Sequence, residues 1–323
     1  MSSQRPLEIH LAHIQGFCAG VSSAIEIVEL ALKKFGVPLY VRHEIVHNTS
    51  IIKNFEKQGV IFIEDLSDVP NDSVVVFSAH GTAPDVYQEA KTRGLHVIDA
   101  TCPLVTKVHR QAMRYSKRKV HTILIGHSGH QELIGTSGYV DDQLRHIVED
   151  ESDIDALDIP VDAEIGVLTQ TTLSVTDTVH LIDKIKEKYP NIITGNKEDI
   201  CYATQNRQDA VVEIASQCDL VIIVGSPNSS NSNRLRERAQ DQGVQCVIID
   251  TKDEFDISLL NEVQKVGISS GASVPDFLVN ELVDMIKNEY PNATIFQKPS
   301  TEKGILFPLP DEIQSFKDTI NVA

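Results

Sequence analysis

The sequence predicts an α/β protein of three similar lobes, each a parallel sheet with helices on its faces, arranged around a pseudo-threefold centre. Three observations carry this. Short apolar runs of strand length alternate with amphipathic runs of helix length along the 323 residues, the pattern of parallel sheets covered on both faces. A cysteine stands three times where an extended segment gives way to a helix, at Cys18, Cys102 and Cys201. The spacing that follows each cysteine also repeats. Cys18 to His47, Cys102 to His130 and Cys201 to Ser230 span 29, 28 and 29 positions, and a second polar loop follows at 62 (His80), 69 (Thr171) and 72 (Ser273).

The first lobe is expected over 20–102. After Cys18, AGVSSAIEIVELALKKFG has helical period, and VPLYVRHEIVHN reads as a strand ending in His47 and Asn48. TSIIKNFEKQG is a helix, VIFIE a strand, SVVVFSAHG a strand ending at His80, and APDVYQEAKTRG the closing helix. The second lobe, 103–197, follows LHVIDA and Cys102 with the helix PLVTKVHRQAMRYSKR. HTILIG then runs into HSGHQE, which holds His127, His130 and Glu132. RHIVE and EIGVLTQTT are strands, the latter ending at Gln170, Thr171 and Thr172, and SVTDTVHLIDKIKEKYP is an amphipathic helix capped by Ser174 or Thr176.

The third lobe, 198–285, opens with Cys201 and the helix YATQNRQDAVVEIASQ. CDLVIIVG runs into SPNSSNSN, NRLRERAQDQG is a helix, VQCVIID a strand, KVGISSGAS a strand ending at Ser273, and VPDFLVNELVDMIKNEYP the closing helix. Segments 1–19 and 286–323 join the lobes, and the Pro-punctuated tail is expected to pack back as an extension. In parallel α/β sheets ligands bind beyond the carboxyl ends of the strands. All six polar loops fall at that position, so the cysteines and loops are expected to face one centre.

Composition narrows the function classes. Lys and Arg number 29 against 46 Asp and Glu, a net charge of −17, and there is no Trp. That argues against a nucleic-acid or anionic-membrane surface and against a base-stacking platform. No run approaches the ~18 apolar residues of a membrane span, and the first residues lack the charged-then-apolar pattern of a secretory signal. A cytoplasmic protein is the expectation. The five cysteines lack the close spacing of a disulfide framework. Cys218 and Cys246, inside CDLVIIVG and VQCVIID, read as small buried hydrophobes.

The other three cysteines admit unrelated buried thiols, a three-cysteine zinc site with an open position, or an iron–sulfur cluster. Structural zinc takes four ligands and favours close pairs, which are absent here. The repeat weighs against coincidence, and a three-thiolate iron–sulfur cluster fits best, because its unligated iron can take a substrate. A thiol at a helix start is favoured as thiolate by the positive end of the helix dipole. The loops HEIVHN, SAHG, GHSGHQE, TQTT, NSSNSN and SGAS are neutral hydrogen-bonders, suited to phosphate without a lysine, although SAHG and SGAS also fit ordinary turns and NSSNSN a helix cap. Glu132 is the lone carboxylate of its loop, a proton donor or a solvated acid. His47 and His80 fit phosphate donors, proton donors or metal ligands.

The segments QGFCAGV, YVRHEIVHN, FSAHG, DATCPLVTKVH, ILIGHSGHQE, TQTTLSV, DICYATQNRQ, VGSPNSSNSNRL and GASVPD together resemble the 4-hydroxy-3-methylbut-2-enyl diphosphate reductase (LytB) family from about Gly16 to Asp276. Departures are minor: Gln15 where Arg is common before GFCAGV, and Gln131 in the GHQE loop. The resemblance implies an iron–sulfur oxidoreductase that removes the allylic hydroxyl of its diphosphate substrate as water, the last step of the non-mevalonate isoprenoid pathway. It gives isopentenyl and dimethylallyl diphosphate. It implies one 4Fe–4S cluster per chain on Cys18, Cys102 and Cys201, with one iron lacking a protein ligand. It implies diphosphate contacts from His47, His80, Ser229, Asn231 and Ser273, with Ser230 adjacent. His130 and Thr171 match residues near the substrate hydroxyl, and Glu132 matches the acid that feeds it protons. Reduced ferredoxin or flavodoxin is the implied electron donor. The competing classes are an iron–sulfur hydro-lyase acting on an organic acid, which needs no reductant, and a non-catalytic iron–sulfur sensor, which needs a macromolecular partner.

Overall fold

In the computed structural model, residues 6–193, 199–302 and 304–322 are described. The expected boundary between second and third lobes, at 197/198, lies outside them, as do the first five residues. Three wholly parallel sheets are present, of five, four and four strands. The chain divides into two compact units. One comprises residues to Ala19, His47–Ser50 and Tyr202–Ile305; the other comprises Gly20–Val46, Ile51–Cys201 and Leu306 onward.

The one-sheet unit begins with β1 (Glu8–Leu11), a short strand that precedes Cys18 and helix α1 (Ala19–Phe35). The two-sheet unit supplies β2 (Leu39–Arg42), α2 (Thr49–Lys57), β3 (Val60–Ile63), β4 (Val74–Phe77), α3 (Pro84–Thr92) and β5 (His96–Asp99), with sheet order β3-β2-β4-β5. The second sheet follows α4 (Pro103–Lys117). Its elements are β6 (His121–Ile125), α5 (Gln131–Ser137), β7 (Arg145–Val148), α6 (Glu151–Ala156), β8 (Ile165–Thr169), α7 (Val175–Lys188) and β9 (Ile192–Ile193), in order β7-β6-β8-β9. Strand residues alternate between two apolar layers: Leu39, Val41 and Val76 pack on one face of the first sheet, and Tyr40, Val75 and Phe77 on the other. Ile123, Ile125 and Val167 against Leu124 and Leu168 do the same in the second. This double-sided burial is why these strands read as continuous apolar runs rather than alternating ones.

The remaining elements are α8 (Tyr202–Ala215), β10 (Leu220–Val224), α9 (Ser230–Gln240), β11 (Gln245–Ile249), β12 (Lys265–Ser270), α10 (Asp276–Glu289), β13 (Thr294–Gln297) and α11 (Asp311–Val322). The sheet order is β11-β10-β12-β1-β13. The N-terminal strand therefore takes the position beside β12 that β5 takes beside β4 and β9 beside β8. The repeat closes on itself, with the first strand of the chain completing the last sheet. The tail adds more than an extension. It contributes β13 at the sheet edge and α11, whose Ile313 packs with Leu309 into the core beneath α1. Among the described residues no helix is long and apolar enough to cross a membrane.

Candidate functional site

Each of the three cysteines is tethered by its own backbone in the same way. The Cys102 N–H donates to the Ala79 carbonyl just beyond β4, at 3.1 Å, and Cys201 N–H to the Thr171 carbonyl just beyond β8, at 3.0 Å. Cys18 N–H donates to the Ala272 carbonyl just beyond β12, at 3.1 Å. Each thiol is thus pinned where one strand's second polar loop meets the next helix. Cys102 is the N-cap of α4, at φ −56° and ψ 132°, with Pro103 at the first helical position, where the missing proline N–H costs nothing. Asp99 shapes the approach to it by accepting from the Thr101 N–H at 2.9 Å and the Tyr87 hydroxyl at 2.6 Å. Gly20 is needed here: a Cβ at that position would lie 2.8 Å from the Cys102 sulfur.

Within the two-sheet unit, His80, His130, Glu132 and Thr171 lie at the carboxyl ends of β4, β6 and β8. The loop after β4 and helix α5 approach closely because α5 carries Gly135 there. A Cβ on Gly135 would meet the Gly81 carbonyl at 3.0 Å, and the Tyr139 hydroxyl just beyond α5 donates to the Thr82 carbonyl. The result is an edge-to-face pair of His80 and His130, with ring centroids 5.9 Å apart. Gly81 has φ +88°, and a side chain there would strike His109. Burial pushes His109 down to about 4, so it packs as a neutral ring against Tyr139.

His130 caps α5: its Nδ1 accepts the Glu132 N–H at 3.2 Å, so in the neutral ring the proton sits on Nε2. Glu132 is not a solvated loop acid. It lies in the first turn of α5 at 3% exposure. One carboxylate oxygen accepts the Thr171 N–H at 2.7 Å and the other the Thr171 hydroxyl at 2.9 Å. Burial outweighs those two bonds and pushes the Glu132 carboxyl up to about 7. His127, by contrast, faces outward against Glu149 at 3.3 Å.

In the one-sheet unit, Ser229 caps α9, its hydroxyl accepting from the Ser232 N–H at 3.3 Å. Ser230 and Asn231 begin the helix, where backbone N–H groups have no intrahelical partner and the dipole favours an anion. Asn231 is buried, and neither atom of its amide has a hydrogen-bond partner among the described residues. Ser273 donates to the His47 carbonyl at 2.9 Å, joining the loop after β12 to that residue. Ahead of Cys18, Gly16 donates to the Ser270 hydroxyl at 2.8 Å, and its carbonyl accepts from Arg207 at 2.9 Å. Arg207 is itself buried and paired with Glu302 at 3.1 Å.

Two polar residues at these loops stand out only in the structure. Gln170 accepts the His127 N–H at 3.1 Å and donates to the Thr172 hydroxyl at 2.7 Å, spanning the loops after β6 and β8. Ser232, fully buried, has a hydroxyl without a hydrogen-bond partner among the described residues, beside Gly225 and Gly271. Cys218 and Cys246 lie away from these loops, packed against the core of the one-sheet unit, where burial pushes both thiols up to about 12.

The fold and loops define a class: a protein of three parallel α/β sheets with a backbone-tethered cysteine entering the helix after each. The family model described as "LytB protein" matches residues 9–287, and the chain belongs to that family. It is 46% identical over 312 residues to the 4-hydroxy-3-methylbut-2-enyl diphosphate reductase of Acinetobacter baumannii, covering 95% of this chain and 98% of that one. The protein of that name from Saccharophagus degradans is 47% identical over 311 residues, covering 95% of this chain and all of that one. Among solved structures, the E-1-hydroxy-2-methyl-but-2-enyl-4-diphosphate reductase from Plasmodium falciparum superposes with a TM-score of 0.93 at 39% identity, covering 98% of this chain and 99% of that chain.

Proposed function

We propose that this chain is a 4-hydroxy-3-methylbut-2-enyl diphosphate reductase of the non-mevalonate isoprenoid pathway, cytoplasmic, with lobes 20–102, 103–197 and 198–285. The observation that carries the reading is the thrice-repeated cysteine tether. Cys18, Cys102 and Cys201 hold one 4Fe–4S cluster with one iron lacking a protein ligand. Their setting suits it: all three thiols stand immediately ahead of a helix, and Gly20 leaves room beside the Cys102 sulfur. When bound, the cluster supplies electrons and a Lewis-acidic iron to the substrate hydroxyl.

The chain's own residues do the rest. His47, His80, Ser229, Ser230, Asn231 and Ser273 orient the diphosphate, and the Asn231 amide, without a partner among the described residues, and the first turn of α9 offer it donors. Glu132 holds a proton to near neutral pH, and the Thr171 hydroxyl, hydrogen-bonded to it, passes the proton to the leaving oxygen. His130 presents its Nε2–H as a second donor. The overall balance is two electrons and two protons in: the allylic C–O bond breaks, a C–H bond forms, and water leaves. A reduced ferredoxin or flavodoxin supplies the electrons one at a time.

The test is anaerobic conversion of 4-hydroxy-3-methylbut-2-enyl diphosphate with and without reduced methyl viologen. Strict dependence on the reductant, with isopentenyl and dimethylallyl diphosphate as products, is expected. Reductant-independent hydration or dehydration of an organic acid would assign the chain to the hydro-lyases instead.

A further inference from the structure

The three cysteine-bearing helices occupy equivalent positions and differ sharply in charge. Helix α1 carries Glu26, Glu29, Lys33 and Lys34, and α8 carries Asp209, Glu213 and the buried Arg207. Helix α4 carries Lys107, Arg110, Arg114 and Lys117 and no acidic residue, in a chain of net charge −17. At 100° per residue the spacing of three, four and three puts these four charges on one stripe. All four are exposed, while Val105, Val108, His109, Ala112 and Tyr115 bury the opposite face. The next two cations, Arg118 and Lys119, are paired with Glu164 and Asp141. Arg110, Arg114 and Lys117 have no acidic partner among the described residues.

The stripe begins beside a cluster ligand. Cys102 caps the helix, so Lys107 stands about 7 Å and Arg110 about 12 Å further along its axis. Cys102 is half-buried and, with Gly20, Pro103, Pro308 and Pro310, lines a cavity of about 260 Å³ at the foot of the helix. We propose that the exposed stripe of α4 is the docking surface for an acidic one-electron carrier protein, which delivers its electrons past Cys102. The inference rests on the reductase reading above. Each docking event oxidises one reduced carrier by one electron, so two events serve each substrate converted. Complementary charge raises the encounter rate and makes it fall with salt. The other two cysteine helices offer no such stripe.

The test uses anaerobically prepared holoenzyme and a plant-type ferredoxin. Binding is followed by calorimetric titration, and turnover with reduced ferredoxin is set against turnover with reduced methyl viologen. The triple variant R110E/R114E/K117E should bind ferredoxin on the order of ten-fold more weakly, lose the salt dependence of binding, and slow only the ferredoxin-driven reaction. K184E/K186E on α7 should bind as the parent does. Unchanged ferredoxin binding in the triple variant overturns the proposal, as does a parent that does not bind ferredoxin, or an equal fall in both turnover assays. Loss instead of binding to duplex DNA or phosphatidylserine vesicles, with ferredoxin binding intact, overturns it too. Helix-dependent binding in a protein that converts the diphosphate with neither reductant would support the docking surface and sink the reductase reading.

Discussion

Thr171 grips Glu132 twice, through its backbone N–H at 2.7 Å and its hydroxyl at 2.9 Å, while its own carbonyl receives the Cys201 N–H at 3.0 Å. One residue thereby links the buried carboxyl to the entry of a cysteine helix. A carboxyl held near neutral pKa beside a hydroxyl that it can protonate is an arrangement for delivering a proton.

Replacing Glu132 by Gln keeps the hydrogen-bonding shape and removes the proton. Steady-state kinetics should show KM within a few-fold of the parent and kcat lower by about 100-fold or more. Near-parental turnover would remove Glu132 from the proton path. In the parent, kcat should fall as pH rises through about 7, where the carboxyl loses its proton, and the Gln variant should lack that limb.

The same raised pKa links stability to pH. Folded Glu132 keeps its proton to about 7, whereas the unfolded chain releases it near 4.5. The folded state therefore binds more protons across that window, and its contribution, full below about 4.5, is lost as pH rises through about 7. Thermal denaturation from pH 4.5 to 8 should show this decline in the parent and a flatter profile in Glu132→Gln.

Gly20→Ala tests the setting of Cys102 without touching a ligand. A Cβ there would lie 2.8 Å from the sulfur, so the variant should keep its circular dichroism spectrum and hold markedly less iron. Full iron occupancy would show that the thiol can move aside.

Asn231 separates binding from folding. Its amide is buried with no partner among the described residues, so Asn231→Ala removes an unsatisfied group and should change stability by under about 1 kcal/mol. It should nonetheless weaken binding of the diphosphate substrate by about ten-fold, read by titration. Equal affinity would take Asn231 out of the diphosphate cradle.

Much of this was legible in the sequence because the signals were local and repeated. The apolar runs that became β4, β6, β8, β10 and β12 are buried on both faces, so each stands out, and the polar residues after them fell where parallel strands place loops. The elements that escaped were short or completed by distant chain. Helix α5 spans Gln131–Ser137, too short for helical period to show, so its string reads as loop and leaves Glu132 open between a proton donor and a solvated acid. What buries Glu132 is Thr171, 39 residues away in the chain, and no local pattern reports that. The four-residue β1 likewise gives little sign that it completes the sheet built by the end of the chain. Ser232 looked like one more hydroxyl in SPNSSNSN until the backbones of Gly225 and Gly271 closed around it.

The most direct test of the central claim is iron and sulfide analysis of anaerobically purified parent and single Cys→Ser variants, paired with viologen-driven turnover. A cluster on Cys18, Cys102 and Cys201 predicts about four irons and four sulfides per chain in the parent, in Cys218→Ser and in Cys246→Ser. It predicts loss of the cluster and of turnover in Cys18→Ser, Cys102→Ser and Cys201→Ser. Zinc in the parent, or cluster loss on replacing Cys218 or Cys246 with the other three dispensable, would contradict it.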